Sequence, residues 1–235
     1  MSETQANHLI IETHNLVRIY RMGTHQEVPA LRGVDLSIPA GHVAAVKGRS
    51  GSGKTTLLNC LGGLDRPDGG TVVIDGQDLS QLSDDQLTGF RRTTIGFVFQ
   101  AFGLSPTLSA FENVELMLRI AGEGYRRRRE RAAQCLALVG LERWKHHRPD
   151  ELSGGQQQRV AVARAIANHP RLILADEPTG KLDTETAHDI MALFRRIVAE
   201  EGMTLLMASH DPLVDAYVDD ILNLIEGRLH CSTTV

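Results

Sequence analysis

The stretch Gly48-Arg49-Ser50-Gly51-Ser52-Gly53-Lys54-Thr55 decides the fold of this chain. It follows the apolar run Val43-Ala44-Ala45-Val46 and precedes the helix-like Thr56-Leu57-Leu58-Asn59-Cys60-Leu61. This order predicts a strand, a glycine loop and a helix. The flanking strand and helix favour a phosphate-binding loop over a glycine turn that has no ligand.

The residue types of this loop suit a triphosphate chain. Its glycines allow successive backbone N–H groups to surround a phosphate at a helix N-terminus, which already favours anions. Lys54 supplies a cation for the β- and γ-phosphates, and Thr55 offers a hydroxyl to Mg²⁺. We therefore expect residues 48–56 to bind a nucleoside triphosphate.

Length and composition limit the kinds of protein that this chain can be. Its 235 residues, 42% of them hydrophobic, suffice for one domain or one domain with a lobe. The 25 basic and 29 acidic residues give a formal net charge of −4, which disfavours nucleic acid as a partner. Cys60, Cys135 and Cys231 are odd in number and widely spaced, which is typical of free thiols in a reducing compartment.

The sequence carries no signal for secretion or for crossing a membrane. Met1–Asn7 is short and polar and lacks the apolar core of a signal peptide. No run of about eighteen apolar residues occurs in the chain. We expect a cytosolic protein, which can still dock on a membrane complex.

Two acidic residues follow the short apolar strand Leu172-Ile173-Leu174-Ala175. In a triphosphate site, an acid at this place holds Mg²⁺, and a neighbouring carboxylate polarises the attacking water. Asp176 fits the first role and Glu177 the second. The alternative, two acids that only mark the end of a strand, is disfavoured by the phosphate loop upstream.

Two further core strands end in polar side chains. Gln100 follows Ile95-Gly96-Phe97-Val98-Phe99, and His210 comes just after Thr204-Leu205-Leu206-Met207-Ala208. The carboxyl ends of the strands are where an α/β sheet keeps its ligand-facing groups. We therefore expect His210 to contact the γ-phosphate, although a lone histidine is usually without a special role.

The region before the phosphate loop predicts antiparallel strands with one face in water. Leu9–Tyr20 and Val34–Ile38 alternate between apolar and polar residues, and Gly23–Pro29 is expected to be a loop between them. Tyr20 ends the first strand. Its ring is either a surface on which adenine stacks or an ordinary strand-end tyrosine, and the residues alone do not decide.

Leu152-Ser153-Gly154-Gly155-Gln156 predicts a second helix start with free N–H groups. Ser153 and Gln156 have the spacing of a capping box, and the two glycines leave their amides bare. These amides form a second anion site or belong to a routine cap. Further caps are predicted at Ser83 with Gln86, at Ser109 with Glu112, and at Asp183, which begins a long amphipathic helix.

The region between Gln100 and Leu152 is predicted to be helical. One of its helices is expected over Arg126–Val139, and that helix begins with four arginines, Arg126–Arg129. Cations at a helix N-terminus oppose the helix dipole. The run is a solvated face, or it meets acidic lipid headgroups or an acidic surface of a partner.

With these motifs assembled, the chain resembles the nucleotide-binding subunit of an ABC transporter from Leu9 to Leu229. Residues 152–156 read LSGGQ, the signature peptide of that superfamily. Tyr20 is similar to its adenine-stacking residue, Gln100 to its Q-loop and His210 to its switch histidine. Leu61–Asp65, Phe97–Gln100 and Ala175–Gly180 resemble the branch that contains the lipoprotein-release, macrolide-export and cell-division ATPases.

The resemblance implies an α/β fold with a P-loop NTPase core, in which a mostly parallel sheet is joined by an antiparallel β subdomain. It implies one ABC ATPase domain over residues 1–235, with residues 101–152 as a helical subdomain inserted between the Q-loop and the signature. It also implies that Gln100 serves as a hinge and joins Thr55 and Asp176 as a metal ligand, and that Glu177, His210 and Gln100 are catalytic.

The resemblance implies two partners. Two copies would pack head to tail, so that the phosphate loop of one and the amides of Ser153, Gly154 and Gly155 of the other enclose one ATP. The helical region would contact a membrane-embedded permease at the cytoplasmic face of the inner membrane. One departure stands out, since the D-loop reads Gly180-Lys181-Leu182-Asp183, where this branch usually has asparagine in place of Lys181.

Three functions remain to be compared. The first is an ATP-hydrolysing subunit of a transporter or exporter. The second is a soluble ABC ATPase that acts on DNA or ribosomes, which the single compact cassette and the negative net charge disfavour. The third is a regulator of a cell-envelope or division complex that binds ATP without solute transport, and the presence of both Glu177 and His210 disfavours a form that does not hydrolyse ATP.

Overall fold

A six-stranded sheet and a four-stranded sheet organise the protein, whose structure is a computed structural model that describes residues 8–22 and 26–231. The strands are β1 Leu9–Met22, β2 Gln26–Pro39, β3 Val43–Lys47, β4 Gly69–Ile74, β5 Gln77–Asp78, β6 Ile95–Val98, β7 Leu172–Asp176, β8 Thr204–Ser209, β9 Asp220–Ile225 and β10 Arg228–Cys231. The helices are α1 Lys54–Leu61, α2 Asp84–Thr94, α3 Ala110–Ile120, α4 Tyr125–Leu138, α5 Gly154–Ala165 and α6 Thr184–Glu201.

The six-stranded sheet has the order β10-β9-β3-β8-β7-β6. Its first five strands in sequence, β3 and β6 to β9, pair in parallel, and β10 adds an antiparallel edge. The three central strands β3, β7 and β8 are almost wholly buried because helices or the second sheet cover both faces. The sequences of these strands are therefore nearly continuous runs of apolar residues.

Alternate residues of each central strand enter two different cores, as the two-residue period of a strand requires. One core packs against α3 to α6 and includes Val43, Ala45, Ile173, Ala175, Leu205 and Met207. The other packs against α1 and the four-stranded sheet and includes Ala44, Val46, Leu172, Leu174, Leu206 and Ala208.

The four-stranded sheet has the order β2-β1-β4-β5 and is antiparallel throughout. The antiparallel expectation for this region is confirmed. The expectation of a loop over Gly23–Pro29 is wrong for its second half, because β2 already begins at Gln26 and pairs Val28 with Tyr20 and Pro29 with Ile19. The pairing with β1 extends the strand through residues that have no apolar alternation of their own.

The predicted helix starts are confirmed by their hydrogen bonds. Capping boxes form at Ser83, Ser109 and Ser153, and the side chain of Asp183 accepts a hydrogen bond from the backbone N–H of Thr186. The arginine-rich helix begins one residue earlier than predicted and has Gly124 as its N-cap, without a side-chain cap.

The thiols of Cys60 and Cys135 are free and buried, and burial raises the pKa of Cys60 to about 12 and that of Cys135 to about 11. The side chain of Cys231 and the expectations for Met1–Asn7 lie outside the part of the chain that the structure describes. Within that part, none of the helices combines the length and the apolar character needed to span a membrane.

Asn113 fixes the entry into the helical region. Its side chain is buried on α3, its Oδ1 accepts a hydrogen bond from the N–H of Ser105, and its Nδ2 donates to the carbonyls of Ser105, Leu108 and Ser109. One side chain therefore satisfies the backbone groups of the loop that follows β6.

We predict that Asn113→Ala lowers the free energy of unfolding by about 2–4 kcal/mol, because the partly buried backbone groups of this loop lose their partners and the buried side chain leaves a cavity. Urea unfolding followed by circular dichroism measures the change. Gln134→Ala on the exposed side of α4 is the control and stays within about 0.5 kcal/mol of the parent chain. Equal stability of the two variants would contradict this prediction.

Candidate functional site

The loop between β3 and α1 has the tight glycine turn that the sequence predicts for a phosphate-binding loop. Gly53 is the N-cap of α1 and has a φ of 104°, and Gly51 has a φ of 79°, both in the region that favours glycine. A Cβ on Gly48 would lie 2.5 Å from Oγ of Ser52 and would also clash with the carbonyl of Leu224. The glycines thus allow a turn that side chains would block.

Lys54 lies across this loop. Its ammonium donates to the carbonyls of Gly48 at 2.8 Å and Arg49 at 3.3 Å, and it lies 3.6 Å from Oε1 of Glu177. The side chain is only 8% exposed. Lys54 therefore places one positive charge between the loop and the end of β7.

Thr55 and Asp176 are joined by a hydrogen bond of 2.9 Å from Oγ1 to Oδ2. Burial raises the pKa of Asp176 and the charge of Glu177 adds to that effect, while the hydrogen bond from Thr55 and the charge of Lys54 oppose it. A hydroxyl and a carboxylate are hard oxygen donors of the kind that Mg²⁺ takes together with phosphates and waters. This pair therefore fits the predicted metal.

A site for a metal held by protein side chains alone is not part of this arrangement. Within the described ranges 8–22 and 26–231, no group of three or more His, Cys, Asp or Glu side chains could hold an ion. A cation at Thr55 and Asp176 would accordingly depend on oxygens of the nucleotide for its remaining ligands.

Glu177 and His210 contact each other although 33 residues separate them. Nδ1 of His210 lies 2.9 Å from Oε2 of Glu177, whose side chain is 13% exposed, whereas that of His210 is 66% exposed. Glu177 has a φ of 46°, an uncommon value for a residue other than glycine, and its N–H donates to the carbonyl of Ala208. The backbone is thus held in a strained conformation that aims the carboxylate at the loop.

Gln100 lies at the same edge of the sheet. It is exposed just after β6, and its Nε2 is 3.5 Å from where a Cβ on Gly180 would lie. A Cβ there would also lie 3.6 Å from that of Glu177. The structure therefore brings Gln100 to the turn that follows the two acids.

Tyr20 is held beside the phosphate loop by a group of charged residues that the sequence analysis did not identify. Its hydroxyl donates to Oδ2 of Asp65 at 2.7 Å, and Thr56 is a further hydrogen-bond partner. Arg18 lies over the ring at 4.8 Å and pairs with Asp65 and Asp68. Burial raises the pKa of Tyr20. No local pattern could have identified the contacts of Tyr20 and Arg18 with the two aspartates, because they join residues 45 or more positions apart.

Residues Ser153–Gln156 form the start of α5 as predicted. Oγ of Ser153 accepts from the N–H of Gln156 at 3.2 Å, and Oε1 of Gln156 accepts from the N–H of Ser153 at 3.0 Å. Gly154 and Gly155 are the first two helical residues, whose N–H groups have no acceptor within the helix. Among the hydrogen bonds and ion pairs of the described residues, none joins this cap to the phosphate loop.

Lys181 and Asp183 flank the cap of α5. A Cβ on Gly154 would lie 3.7 Å from Cδ2 of Leu182 and 4.0 Å from Cζ of Phe102. Nζ of Lys181 is 5.9 Å from the centre of that phenyl ring. The unusual lysine therefore lies against the loop after Gln100 in the same copy of the chain.

Comparison with known proteins gives the following relationships. The profile described as "ABC transporter" matches residues 31–180. The chain is 46% identical over 223 residues to the lipoprotein-releasing system ATP-binding protein LolD of Chromohalobacter salexigens, covering 95% of this chain and 94% of that protein. It is 46% identical over 220 residues to the macrolide export ATP-binding/permease protein MacB of Syntrophobacter fumaroxidans, covering 93% of this chain but 31% of that protein. The chain thus spans about a third of MacB and nearly all of LolD.

Solved structures agree with these relationships. A dimeric structure of MJ0796, a bacterial ABC transporter cassette, has a TM-score of 0.88 at 45% identity and covers 95% of this chain and 98% of its own. A second dimeric structure of MJ0796, in a post-hydrolysis state bound to ADP and Pi, has a TM-score of 0.87 at 43% identity and the same coverage. The protein MJ0796 is from Methanocaldococcus jannaschii.

We predict that Gly155→Ala destabilises the fold. A Cβ there would lie 2.5 Å from Cγ2 of Thr186, which cannot rotate away without losing the hydrogen bond from its Oγ1 to Asp183. The expected cost is about 1–3 kcal/mol, measured by urea unfolding. Gly89→Ala in α2, where a Cβ meets nothing within 4 Å, is the matched control and stabilises by about 0.5–1 kcal/mol. Stabilisation by both substitutions would show that α5 and α6 are not packed so closely.

Proposed function

This chain belongs to the ABC transporter family, and from that premise we propose that it is the nucleotide-binding subunit of a transporter or exporter and couples ATP hydrolysis to motion of a membrane-embedded partner. The observation that carries the proposal is the meeting of Lys54, Thr55, Asp176, Glu177 and His210 at one edge of the sheet, with contacts of 2.9–3.6 Å. These are the groups that hydrolysis of a phosphoanhydride requires. We propose the whole of residues 1–235 as one domain, with 101–152 as its helical part.

ATP is held by the phosphate loop in this proposal. The amides of residues 48–53, Lys54 and the start of α1 surround the phosphates, with Thr56 at the first turn of the helix. Arg18 covers one face of the Tyr20 ring, so adenine stacks on the opposite face. The hydrogen bond to Asp65 fixes the ring in place for that contact.

In this proposal, the carboxylates of Asp176 and Glu177 serve the hydrolysis of ATP. Thr55 and Asp176 would hold Mg²⁺, with Gln100 proposed as a further ligand, and the ion would supply positive charge to the β- and γ-phosphates. Glu177 accepts a proton from the water that attacks the γ-phosphate. His210 holds the Glu177 carboxylate through the 2.9 Å contact and presents its imidazole to the γ-phosphate.

A second copy completes the site in this proposal. The free amides of Gly154 and Gly155, with the hydroxyl of Ser153 and the side chain of Gln156 beside them, form an anion site in this proposal. This site lies apart from the phosphate loop of the same copy, and the amide of Ser153 donates to Gln156 in this structure. A head-to-tail pair brings these amides to the γ-phosphate of the other copy, next to Asp183. MJ0796 is dimeric in both similar structures, which supports this arrangement.

An apolar groove fits a permease partner. It has a volume of about 400 Å³ and lies between the six-stranded sheet, α2 and α3. Leu64, Phe99 and Ile120 line it and are each more than 40% exposed, and Arg91 and Arg164 border it. Apolar side chains with a basic rim suit a short amphipathic segment of a membrane protein. We place the subunit at the cytoplasmic face of the inner membrane on this basis.

The alternative is an ATPase that regulates a cell-envelope or division complex without moving a solute. The relatives named for macrolide export and for lipoprotein release both support a role at the envelope. The test is an assay of phosphate release from ATP by the chain mixed with the membrane protein that copurifies with it. This assay distinguishes a subunit that hydrolyses ATP from a regulator that only binds ATP. The negative net charge supports the absence of nucleic acid among its partners.

We predict that Glu177→Gln keeps ATP binding but lowers the rate of hydrolysis by about 10²–10⁴-fold, the usual effect of losing a general base. Phosphate release and nucleotide binding are measured on the same preparation, with Glu185→Gln on the exposed start of α6 as the control. ATP also traps the dimer of this variant, which gel filtration detects. Hydrolysis near the parent rate would remove Glu177 from its proposed role.

We predict that mixing two inactive variants restores hydrolysis. Lys54→Ala disables the phosphate loop and Ser153→Arg disables the signature amides. In a mixed pair, the intact loop of one copy meets the intact amides of the other, so one site works. Each variant alone stays inactive. If the mixture also stays inactive while chromatography detects mixed pairs, the two halves of a site belong to the same copy.

A further inference from the structure

Lys47 is a charged residue at the end of a strand that is otherwise apolar. It ends β3 directly before Gly48, where the phosphate loop begins. Its side chain is 16% exposed, and Nζ lies 2.6 Å from Oδ1 of Asp215. This close ion pair joins the end of β3 to the segment that carries Asp215 and restrains both side chains.

Asp215 lies on the segment that follows the proposed phosphate-contacting histidine. A 3-10 helix spans Pro212–Tyr217 and begins two residues after His210. The side chain of Asp211 caps it by accepting from the N–H of Leu213 at 2.9 Å, and the N–H of Asp211 donates to Oγ of Ser209. In the parallel pairing of β3 with β8, Ser209 is opposite Lys47.

The 3-10 helix is attached on two sides. On one side, Val214 enters the core and the hydroxyl of Tyr217 lies 2.8 Å from Nδ1 of His188 on α6. On the other side, Lys47 holds Asp215. His210 itself is mostly exposed, and its only side-chain hydrogen bond among the described residues goes to Glu177. The imidazole is therefore placed by this contact together with the strand before it and the 3-10 helix after it.

We propose that the Lys47–Asp215 ion pair positions His210 for hydrolysis, which makes both members positioning residues and rests on the proposed function. The pair links the last residue of β3, directly before the phosphate loop, to the 3-10 helix that follows His210. It holds the 3-10 helix against the end of β3, so that Nδ1 of His210 stays at Glu177 and the rest of the ring faces the phosphate loop. Neither Lys47 nor Asp215 touches the nucleotide.

The main variant is Asp215→Asn, which keeps the size of the side chain and changes a residue that is 42% exposed. Steady-state phosphate release by the purified chain is expected to show a kcat lowered about tenfold or more, as misplaced catalytic groups cause. The KM for ATP stays within about twofold, because the phosphate loop is unchanged. Asp215→Glu keeps the carboxylate and recovers most of the rate.

A direct readout on His210 distinguishes positioning from a general loss of stability. The imidazole signals of His210 in ¹H–¹⁵N spectra, assigned with His210→Ala, are expected to shift in Asp215→Asn. They do not shift in Asp84→Asn, which breaks the exposed ion pair of Arg66 with Asp84 far from this segment. Lys47→Met replaces the other partner of the ion pair with an uncharged side chain of similar length. If Lys47→Met does not fold, the test rests on Asp215→Asn alone.

Three results would overturn the inference. The first is a kcat of Asp215→Asn equal to that of the parent chain, and the second is that the imidazole signals of His210 stay unchanged in Asp215→Asn. The third is that Asp215→Asn lowers the rate by the same factor in a His210→Ala background as in the parent chain. The failure of the proposed function is a different result. In that case the parent chain releases no phosphate from ATP, or His210→Ala hydrolyses ATP at the parent rate.

Discussion

The parallel hydrogen-bond register of β3, β8 and β7 is the constraint on which the site depends. Lys47 pairs with Ser209 and Asp176 pairs with Ala208, so the carboxyl ends of three strands stop at the same level. Residues separated by more than 120 positions thereby meet within hydrogen-bond distance. Parallel strands require long crossovers, and the helices of those crossovers together with the four-stranded sheet cover both faces and exclude water.

Local chemistry made much of this structure predictable. The glycine loop and the three capping boxes each have a pattern within a few residues and appear where expected, whereas the buried strand predicted over Ile95–Phe99 ends at Val98 and leaves Phe99 exposed. The start of β2 at Gln26 was missed because its strand conformation comes from pairing with β1 and not from its own residues. The ion pairs and the hydrogen bond by which Asp65 and Asp68 hold Arg18 and Tyr20 have no local sequence pattern either, since the aspartates are 45 or more positions away.

The positions of the candidate catalytic groups show what a sequence pattern cannot give. The order of residues predicts that Asp176 and Glu177 end a strand, but not that Glu177 adopts a φ of 46°. That conformation costs about 1–3 kcal/mol and persists because the N–H of Glu177 binds the carbonyl of Ala208 and its side chain contacts Lys54 and His210. The carboxylate is thus fixed before any substrate arrives.

Helix α5 connects three parts of the protein. Its first turn carries the amides of Ser153–Gln156, its middle packs on α6 and the sheet, and its side joins α3 and α4. Arg164 and Ala165 of α5 line the same groove as Ile120. In the arrangement that we propose, a partner bound there would contact the helix whose first turn reaches the nucleotide of the neighbouring copy, so partner binding to one copy and hydrolysis in the other would be coupled through α5.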